Sequence, residues 1–334
     1  MTRSWDHGYA GYAGGAVIGV ASAVFFGAAG ALAKPLLLAG WTPAAVALVR
    51  VAGGAMLLLP WVWWSMRGRW HHLPGHARAV LGYGIFGVAA TQLAYFSAVE
   101  TLSVSVALLL EYSAVVMVVG WMWVRHDQAP SRLTALGVAL AVVGLVLVLG
   151  LLTGARLSTV GVAWALCAAV GLAVYFVLSA GDSGDALPPA ALAGCGLLVG
   201  ALVVGVAALG GLVDVRVVAT DVDLGGRAVA WWVPLGLLAL FAAALAYVTG
   251  IVAARRLGAR LMSCVGLTEV LFATLFAWLL LGERPGWLQG VGGALLVAGI
   301  VVVRLGEVPT TVVVQGTPGE KLSTRPDADV VVWP

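Results

Sequence analysis

The sequence predicts an all-α integral membrane protein with ten transmembrane helices arranged as two inverted five-helix repeats. The first observation is composition: 62% of the 334 residues are hydrophobic and 10% are charged, whereas soluble domains contain about 45–50% and about 25%. The second is a series of ten apolar runs, each near the roughly 20 residues that a membrane-spanning helix needs. The third is an internal repeat that places one glutamate inside an apolar run of each half.

The ten runs follow one another along the chain, separated by short polar connectors. Lipid offers no hydrogen-bond partner to backbone N–H and C=O groups, so spanning runs of this length are expected to be helical. The alternating ten-residue segments typical of membrane β-barrels are absent from the sequence. The runs cover about 15–33, 42–62, 79–98, 103–124, 133–152, 159–180, 188–212, 231–254, 261–281 and 287–304.

Four regions follow from these runs. We expect a cytoplasmic N-terminal tail at 1–14, a first five-helix repeat at 15–152, a second at 159–304 and a disordered cytoplasmic tail at 305–334. No clear cleavage site follows the first run, which is therefore interpreted as a helix and not as a removed signal peptide. The connector at about 213–230 mixes acids with valines, and the sequence leaves open whether it forms a short strand or an interfacial turn.

The internal repeat pairs the fourth and fifth runs with the ninth and tenth. Glu111 occupies the place in the fourth run that Glu269 occupies in the ninth. Because each half has an odd number of helices, the two copies must cross the membrane in opposite directions. Inverted repeats are typical of transporters that bind their substrate near the bilayer midplane. Glycines seven residues apart mark both copies, as Gly137 with Gly144 and Gly292 with Gly299.

The distribution of basic residues predicts the orientation of the bundle. About twelve of the eighteen lysines and arginines fall on one side of the predicted helices, and basic connectors stay in the cytoplasm. Both termini are therefore expected to be cytoplasmic. We expect a multi-pass protein of the plasma membrane, from a bacterium.

Few ionisable residues lie inside the runs, where each costs roughly 2.5–3.5 kcal/mol at a helix centre. Glu111 and Glu269 are therefore candidates to line a cavity, where they would bind a cationic part of a substrate or exchange protons. The structural alternative pairs one of them with Arg50 and makes the other a packing element, and we interpret Arg50 as a structural counter-ion. Five polar or aromatic candidates for the same pathway are Gln92, Tyr95, Trp164, Tyr175 and Tyr247.

The fifth and tenth runs carry small residues four positions apart. These are Gly137 and Ala141 in the fifth run, and Gly290, Ala294 and Ala298 in the tenth. Small residues at this spacing let two helices approach closely. We predict that these two helices pack between the halves or form the contact of a homodimer.

The sequence offers no enzymatic motif. All five histidines lie in the N-terminal tail or in connectors, and HExxH, GxSxG, a P-loop and an intramembrane aspartate pair are absent. Cys167, Cys195 and Cys264 fall singly in three runs, a spacing that gives neither a disulfide framework nor a metal cluster. We predict no enzyme activity, no cofactor, no metal site and no nucleic-acid partner. The expected partners are the lipid bilayer and a small-molecule substrate.

The stretch LTEVLFATLFAWLLLGERP, followed by a glycine-rich last run, resembles the EamA family of the drug/metabolite transporter superfamily. The family's fourth helix is similar to the stretch ALLLEYSAVVMVVGWMWV. Two further stretches also fit the family, namely AAVALVR, which contains Arg50, and LCAAVGLAVYFVLSA. The resemblance covers about residues 15–305 and implies a ten-helix secondary transporter that moves small metabolites, often outward. The sequence departs from the family where a proline often follows each glutamate, since Tyr112 and Val270 stand there, and the hairpin glutamate is missing from the first copy.

Together these observations predict a secondary transporter that exports small organic metabolites, such as amino acids, by alternating access to a midplane cavity. The third, fourth, eighth and ninth runs are expected to line that cavity. The alternative is a membrane sensor or scaffold that transports nothing and whose polar residues are structural. The inverted repeat favours transport, because a scaffold does not need access from two sides.

Overall fold

The structure is a computed structural model that describes residues 3–102, 104–126, 131–148, 158–181, 186–282 and 286–306. Most of the predicted C-terminal tail and the charged turn at 283–285 lie outside the described residues. Helices form nearly all of what is described. Their bounds are α1 Arg3–Leu38, α2 Pro43–Ser65, α3 Ala77–Gly82, α4 Thr91–Thr101, α5 Val104–Glu111, α6 Ala114–His126, α7 Arg132–Val148, α8 Thr159–Ala180, α9 Pro189–Leu209, α10 Trp232–Leu237, α11 Ala246–Gly266, α12 Thr268–Leu281 and α13 Trp287–Gly306.

Two π-helical stretches occur at similar places in the two halves of the chain. Tyr83–Ala90 joins α3 to α4, and Leu238–Leu245 joins α10 to α11, so each junction continues one long helical crossing. A short 3₁₀ helix, Trp70–His76, precedes α3. The wider π turn is rare and is found mostly at functional sites, and both stretches lead directly into residues predicted for the cavity.

The predicted class, a multi-helix membrane protein, is confirmed. Six helical segments are long and apolar enough to cross a membrane, and α6, α7, α12 and α13 include shorter apolar stretches. The fourth and ninth runs are not single helices, however. Tyr112 and Ser113 separate α5 from α6, and Leu267 separates α11 from α12, so each run is interrupted beside its glutamate.

The first helix begins earlier than predicted. Backbone from Arg3 onward is already helical, so residues 3–14, predicted as a tail, extend α1. The segment contains no proline that would break the helix. The chain turns after Leu38, where Gly40 adopts a φ of +100°.

The connector at 213–230 contains a short β-hairpin, which resolves the open choice in favour of strands. Strand β1, Val222–Asp223, pairs antiparallel with β2, Ala228–Val229. Gly225 and Gly226 have φ values of +67° and +76°. Positive φ at both central residues is the geometry of a type I′ turn, which two glycines adopt without strain.

Hydrogen bonds of this connector show which turns of the chain lie at the same end of the bundle. The Gly225 amide donates to the carbonyl oxygen of Leu280 at 2.8 Å, and the Trp41 indole donates to the carbonyl oxygen of Val218 at 2.7 Å. The turns after α1, α9 and α12 therefore lie together. That placement is the one expected when successive helices cross in opposite directions.

Helices α7 and α13 pack closely along a line of glycines. A Cβ atom on Gly299 would lie 2.6 Å from both the Ala141 nitrogen and the Gly137 oxygen, so the two backbones touch. The fifth and tenth runs thus meet within one chain. Gly292 and Gly299 of α13 are buried, whereas the predicted stripe of Gly290, Ala294 and Ala298 is exposed. The homodimer stays a prediction.

Candidate functional site

A small cavity lies at the centre of the bundle, between the two halves of the chain. Its volume is about 40 Å³, room for about three water molecules at roughly 10–15 Å³ each. An organic solute does not fit, so the structure describes a closed form of the site. Seven of the eight predicted site residues line it, namely Arg50, Gln92, Tyr95, Glu111, Tyr175, Tyr247 and Glu269.

Arg50 is the cation of this cavity and is only 1% exposed. Its guanidinium donates one hydrogen bond to the side-chain oxygen of Gln92 and another to the carbonyl oxygen of Ala242. Ala242 lies in the second π-helical stretch, which α2 can approach because Gly54 has no side chain. A Cβ on Gly54 would lie 2.6 Å from the Cβ of Ala243. A glycine one turn after Arg50 therefore lets this arginine link the halves.

The ion pair considered for Arg50 is not formed. Among the described residues, neither Glu111 nor Glu269 has a carboxylate oxygen within salt-bridge distance of the guanidinium. The Arg50 side chain lies instead between two aromatic rings, with Cζ 6.0 Å from the centroid of Phe26 and 5.6 Å from that of Phe96. The positive charge of Arg50 therefore acts on the two carboxylates from across the cavity and not through an ion pair. Its role as a counter-ion stays a prediction.

Gln92 extends the hydrogen bonds of Arg50 into the second half. Its amide nitrogen donates to the Tyr247 hydroxyl at 3.1 Å, while its oxygen accepts from Arg50. Since both amide atoms have partners, the orientation of Gln92 is fixed. Tyr95, three residues further along α4, lines the same cavity, as the helical spacing predicts.

Glu269 has a hydrogen-bond donor that sequence reasoning missed. The Tyr112 hydroxyl donates to Oε2 of Glu269 at 2.7 Å, and Tyr112 is 3% exposed. This bond joins the break between α5 and α6 to the first turn of α12. The signal in the sequence was slight, since Tyr112 only stands out as a polar ring next to Glu111 inside an apolar run.

Glu111 is placed differently, although it faces the same cavity. It is the last residue of α5 and is 7% exposed. In the part of the chain that the structure describes, no group donates a hydrogen bond to its carboxyl. The Ser113 hydroxyl, in the adjacent break, is also buried without a partner there.

Aromatic rings form one wall of the cavity. Phe26, Tyr175 and Tyr247 meet edge to face, with ring centroids 5.0–5.9 Å apart, an arrangement that aromatic pairs favour. The Tyr175 hydroxyl lies directly against Gly250, at a position where any side chain on that residue would collide with it. The Tyr175 ring can therefore take this position only because Gly250 of α11 has no side chain.

Two residues of the first helix were not predicted for the site. Ser22 and Phe26 of α1 both line the cavity, and the Ser22 hydroxyl donates to the carbonyl oxygen of Ala246 at 2.8 Å. Ser22 is the only polar residue in the first apolar run, a signal that could have identified it.

Trp164 does not line this cavity, and its role as a pathway residue stays a prediction. It is 41% exposed and faces out of the bundle from α8. It precedes Tyr175 by about 16 Å along the helix axis, at about 1.5 Å per residue. An indole at this level contacts the surroundings of the bundle and not its centre.

Comparisons with known proteins agree with this architecture. The model of the EamA-like transporter family matches residues 13–150 and again residues 159–305, one match for each half. A solved structure titled only "Crystal structure of protein" aligns with a TM-score of 0.66 at 19% identity, over 88% of this chain and 97% of that one. At that identity the likeness shows the fold alone. No curated protein matches the chain.

Proposed function

Because the chain belongs to the EamA-like transporter family, we propose that it is a secondary transporter that exports small organic metabolites, such as amino acids, across the plasma membrane with both termini in the cytoplasm. The observation that carries the proposal is the central cavity. Charged and polar side chains of both halves converge there, in a bundle that exposes many large apolar side chains. Ionisable groups at membrane depth are costly, and they commonly mark substrate or ion pathways.

The charges of the cavity favour a substrate that carries an amine. One guanidinium, on Arg50, faces two carboxyl groups, on Glu111 and Glu269, so the ionised lining has a negative excess. An ammonium group would balance that excess. The Nε of Arg50 is buried without a hydrogen-bond partner among the described residues, and it could donate to a substrate carboxylate. An amino acid presents both groups on one small molecule.

Alternating access is proposed because the cavity is closed and its lining belongs to both halves. A cavity of about 40 Å³ must enlarge before a molecule of amino-acid size can enter. The halves meet there through side-chain hydrogen bonds, including those of Tyr112 with Glu269 and Gln92 with Tyr247. Such bonds can be exchanged for bonds to a substrate.

A flux assay tests this function. Purified protein is reconstituted into liposomes loaded with a mixture of the twenty amino acids, and efflux of each is followed by mass spectrometry with and without a pH gradient. We expect efflux of one chemical subset above that of protein-free liposomes, and unchanged efflux for the lipid-facing variant Trp164→Phe. Folded protein that moves no amino acid in either direction would overturn the proposal and favour a scaffold.

A further inference from the structure

The two cavity glutamates differ in their hydrogen bonding, and we propose that they have different tasks. Glu269 keeps a permanent negative charge, whereas Glu111 is the carboxyl that takes up and releases a proton. Tyr112 is the positioning residue that creates this difference. The proposal rests on the transport function proposed above, and it assigns the proton-exchanging group of that site.

The surroundings of Glu269 stabilise a carboxylate. The Tyr112 hydroxyl donates to Oε2 at 2.7 Å, and hydrogen bonds to a charged acceptor are roughly twice as strong as those between neutral groups. Glu269 is also partly exposed, whereas Glu111 is buried, and access to water favours the charged form of a carboxyl group. Both contributions favour the ionised form.

The surroundings of Glu111 do the opposite. Glu111 is 7% exposed and receives no hydrogen bond among the described residues. A buried charge without a partner is strongly disfavoured, and such a group becomes neutral instead. Glu111 therefore holds its proton in the closed form.

The remaining groups around Glu111 agree with this assignment. The ionisable side chains that face it across the cavity are Arg50, Tyr95, Tyr112, Tyr175, Tyr247 and Glu269. Arg50 is the only cation among them, and its charge is matched by one ionised carboxylate. With Glu269 ionised and Glu111 protonated, the closed cavity carries no net charge. A second carboxylate would leave a negative charge in a closed cavity of apolar surroundings.

The same assignment gives a sequence of events for transport. When the cavity opens to one side, water reaches Glu111 and accepts its proton, leaving a carboxylate. That carboxylate then binds the ammonium group of a substrate with a net charge of +1, such as a basic amino acid or an amine, so the cavity is again neutral. On the other side a proton replaces the substrate. One proton is exchanged for one ammonium group, and charge balances at each closed stage.

Infrared spectroscopy of the protein in lipid nanodiscs tests the protonation states without any substrate. At neutral pH we expect a carboxylic acid C=O band from a buried protonated group in the wild type. Glu111→Gln should remove this band, and it should fold well because glutamine resembles the protonated acid. The matched control is Glu100→Gln, since Glu100 is an exposed carboxylate at the end of α4 and its loss should leave the band unchanged.

A band missing from the wild type, or one that survives in Glu111→Gln, would overturn the assignment. Tyr112→Phe tests the positioning role, because Glu269 without its donor should protonate at a higher pH and add a second band on acidification. If Glu269 titrates in Tyr112→Phe as it does in the wild type, Tyr112 does not position Glu269. These results do not depend on flux, so a failure of the transport proposal is recognised separately in liposomes.

Discussion

Two of the regions in which the halves of the chain meet differ in chemistry, the central cavity and the seam between α7 and α13. At the cavity, side chains join the halves through hydrogen bonds, such as that from Tyr112 to Glu269. At the seam, backbones touch at Gly137 and Gly299 without any side chain between them. Side-chain hydrogen bonds can be exchanged for bonds to water or substrate, whereas a glycine contact loses its dispersion energy as soon as it opens. We expect the cavity to change shape during transport and the seam to stay closed.

The largest effect is expected for the cation of the cavity. Among the described residues that line the cavity, Arg50→Leu removes the guanidinium that faces the buried Glu111 and the partly exposed Glu269, and an uncompensated buried charge costs about 3–5 kcal/mol. We expect a large loss of thermal stability in detergent together with loss of flux. Arg50→Lys keeps the charge but cannot reach the Gln92 and Ala242 oxygens with one planar group. It should recover stability but not flux, and a stable, active Arg50→Leu would contradict the role of this charge.

The second prediction tests the rigidity of the seam. Gly299→Ala places a methyl group 2.6 Å from the Ala141 nitrogen and the Gly137 oxygen, and these backbone atoms cannot move aside cheaply. We expect a loss of about 1–3 kcal/mol, measured as a lower unfolding midpoint, with substrate affinity unchanged among the folded molecules.

The matched control for the seam is Gly290→Ala on the same helix. Nothing lies within 4 Å of a Cβ at Gly290, and alanine is favoured over glycine in a helix by about 1 kcal/mol at most. This variant should be as stable as the wild type or slightly more stable. Equal losses at both glycines would show that the seam contributes no specific packing.

A third substitution alters the aromatic wall of the cavity. Gly250→Ala places a methyl group where the Tyr175 hydroxyl lies, so the ring must shift. We expect a cost toward the lower end of the about 1–3 kcal/mol typical of overpacking, with a reduced flux. Tyr175→Phe removes the colliding oxygen, so the double variant should regain stability compared with Gly250→Ala alone. A double-mutant cycle with simple additivity would contradict this contact.

The smallest effect is expected on the outer surface. Trp164→Phe replaces a ring that is 41% exposed and lies outside the cavity. Substitutions away from packed or polar features usually change stability by within about 0.5 kcal/mol. Flux, stability and substrate preference should therefore match the wild type. A change in substrate preference would show that Trp164 belongs to the transport pathway. The cavity and the outer surface would then not differ in function as proposed.

Much of the site was predictable because ionisable residues are rare in this chain. Only 10% of the residues are charged, and a charged group inside an apolar run is costly. Such a residue can therefore be identified as a functional candidate from the sequence alone. Arg50, Glu111 and Glu269 were identified in this way, and all three line the cavity. The sequence could not place Trp164, which lies outside the cavity, or the exposed stripe of the tenth run, because an apolar or small residue suits both a lipid-facing and a buried surface.

The sequence by itself determined that the chain forms a bundle of membrane helices and that its few intramembrane charges matter, because hydrophobicity and helical period are local properties of the chain. Only the tertiary structure decided which charges have partners. Tyr112 and Glu269 lie 157 positions apart, and whether a phenol reaches a carboxylate depends on how two interrupted helices pack. No local pattern encodes that distance. The difference between Glu111 and Glu269, which look equivalent in the sequence, therefore arises from packing.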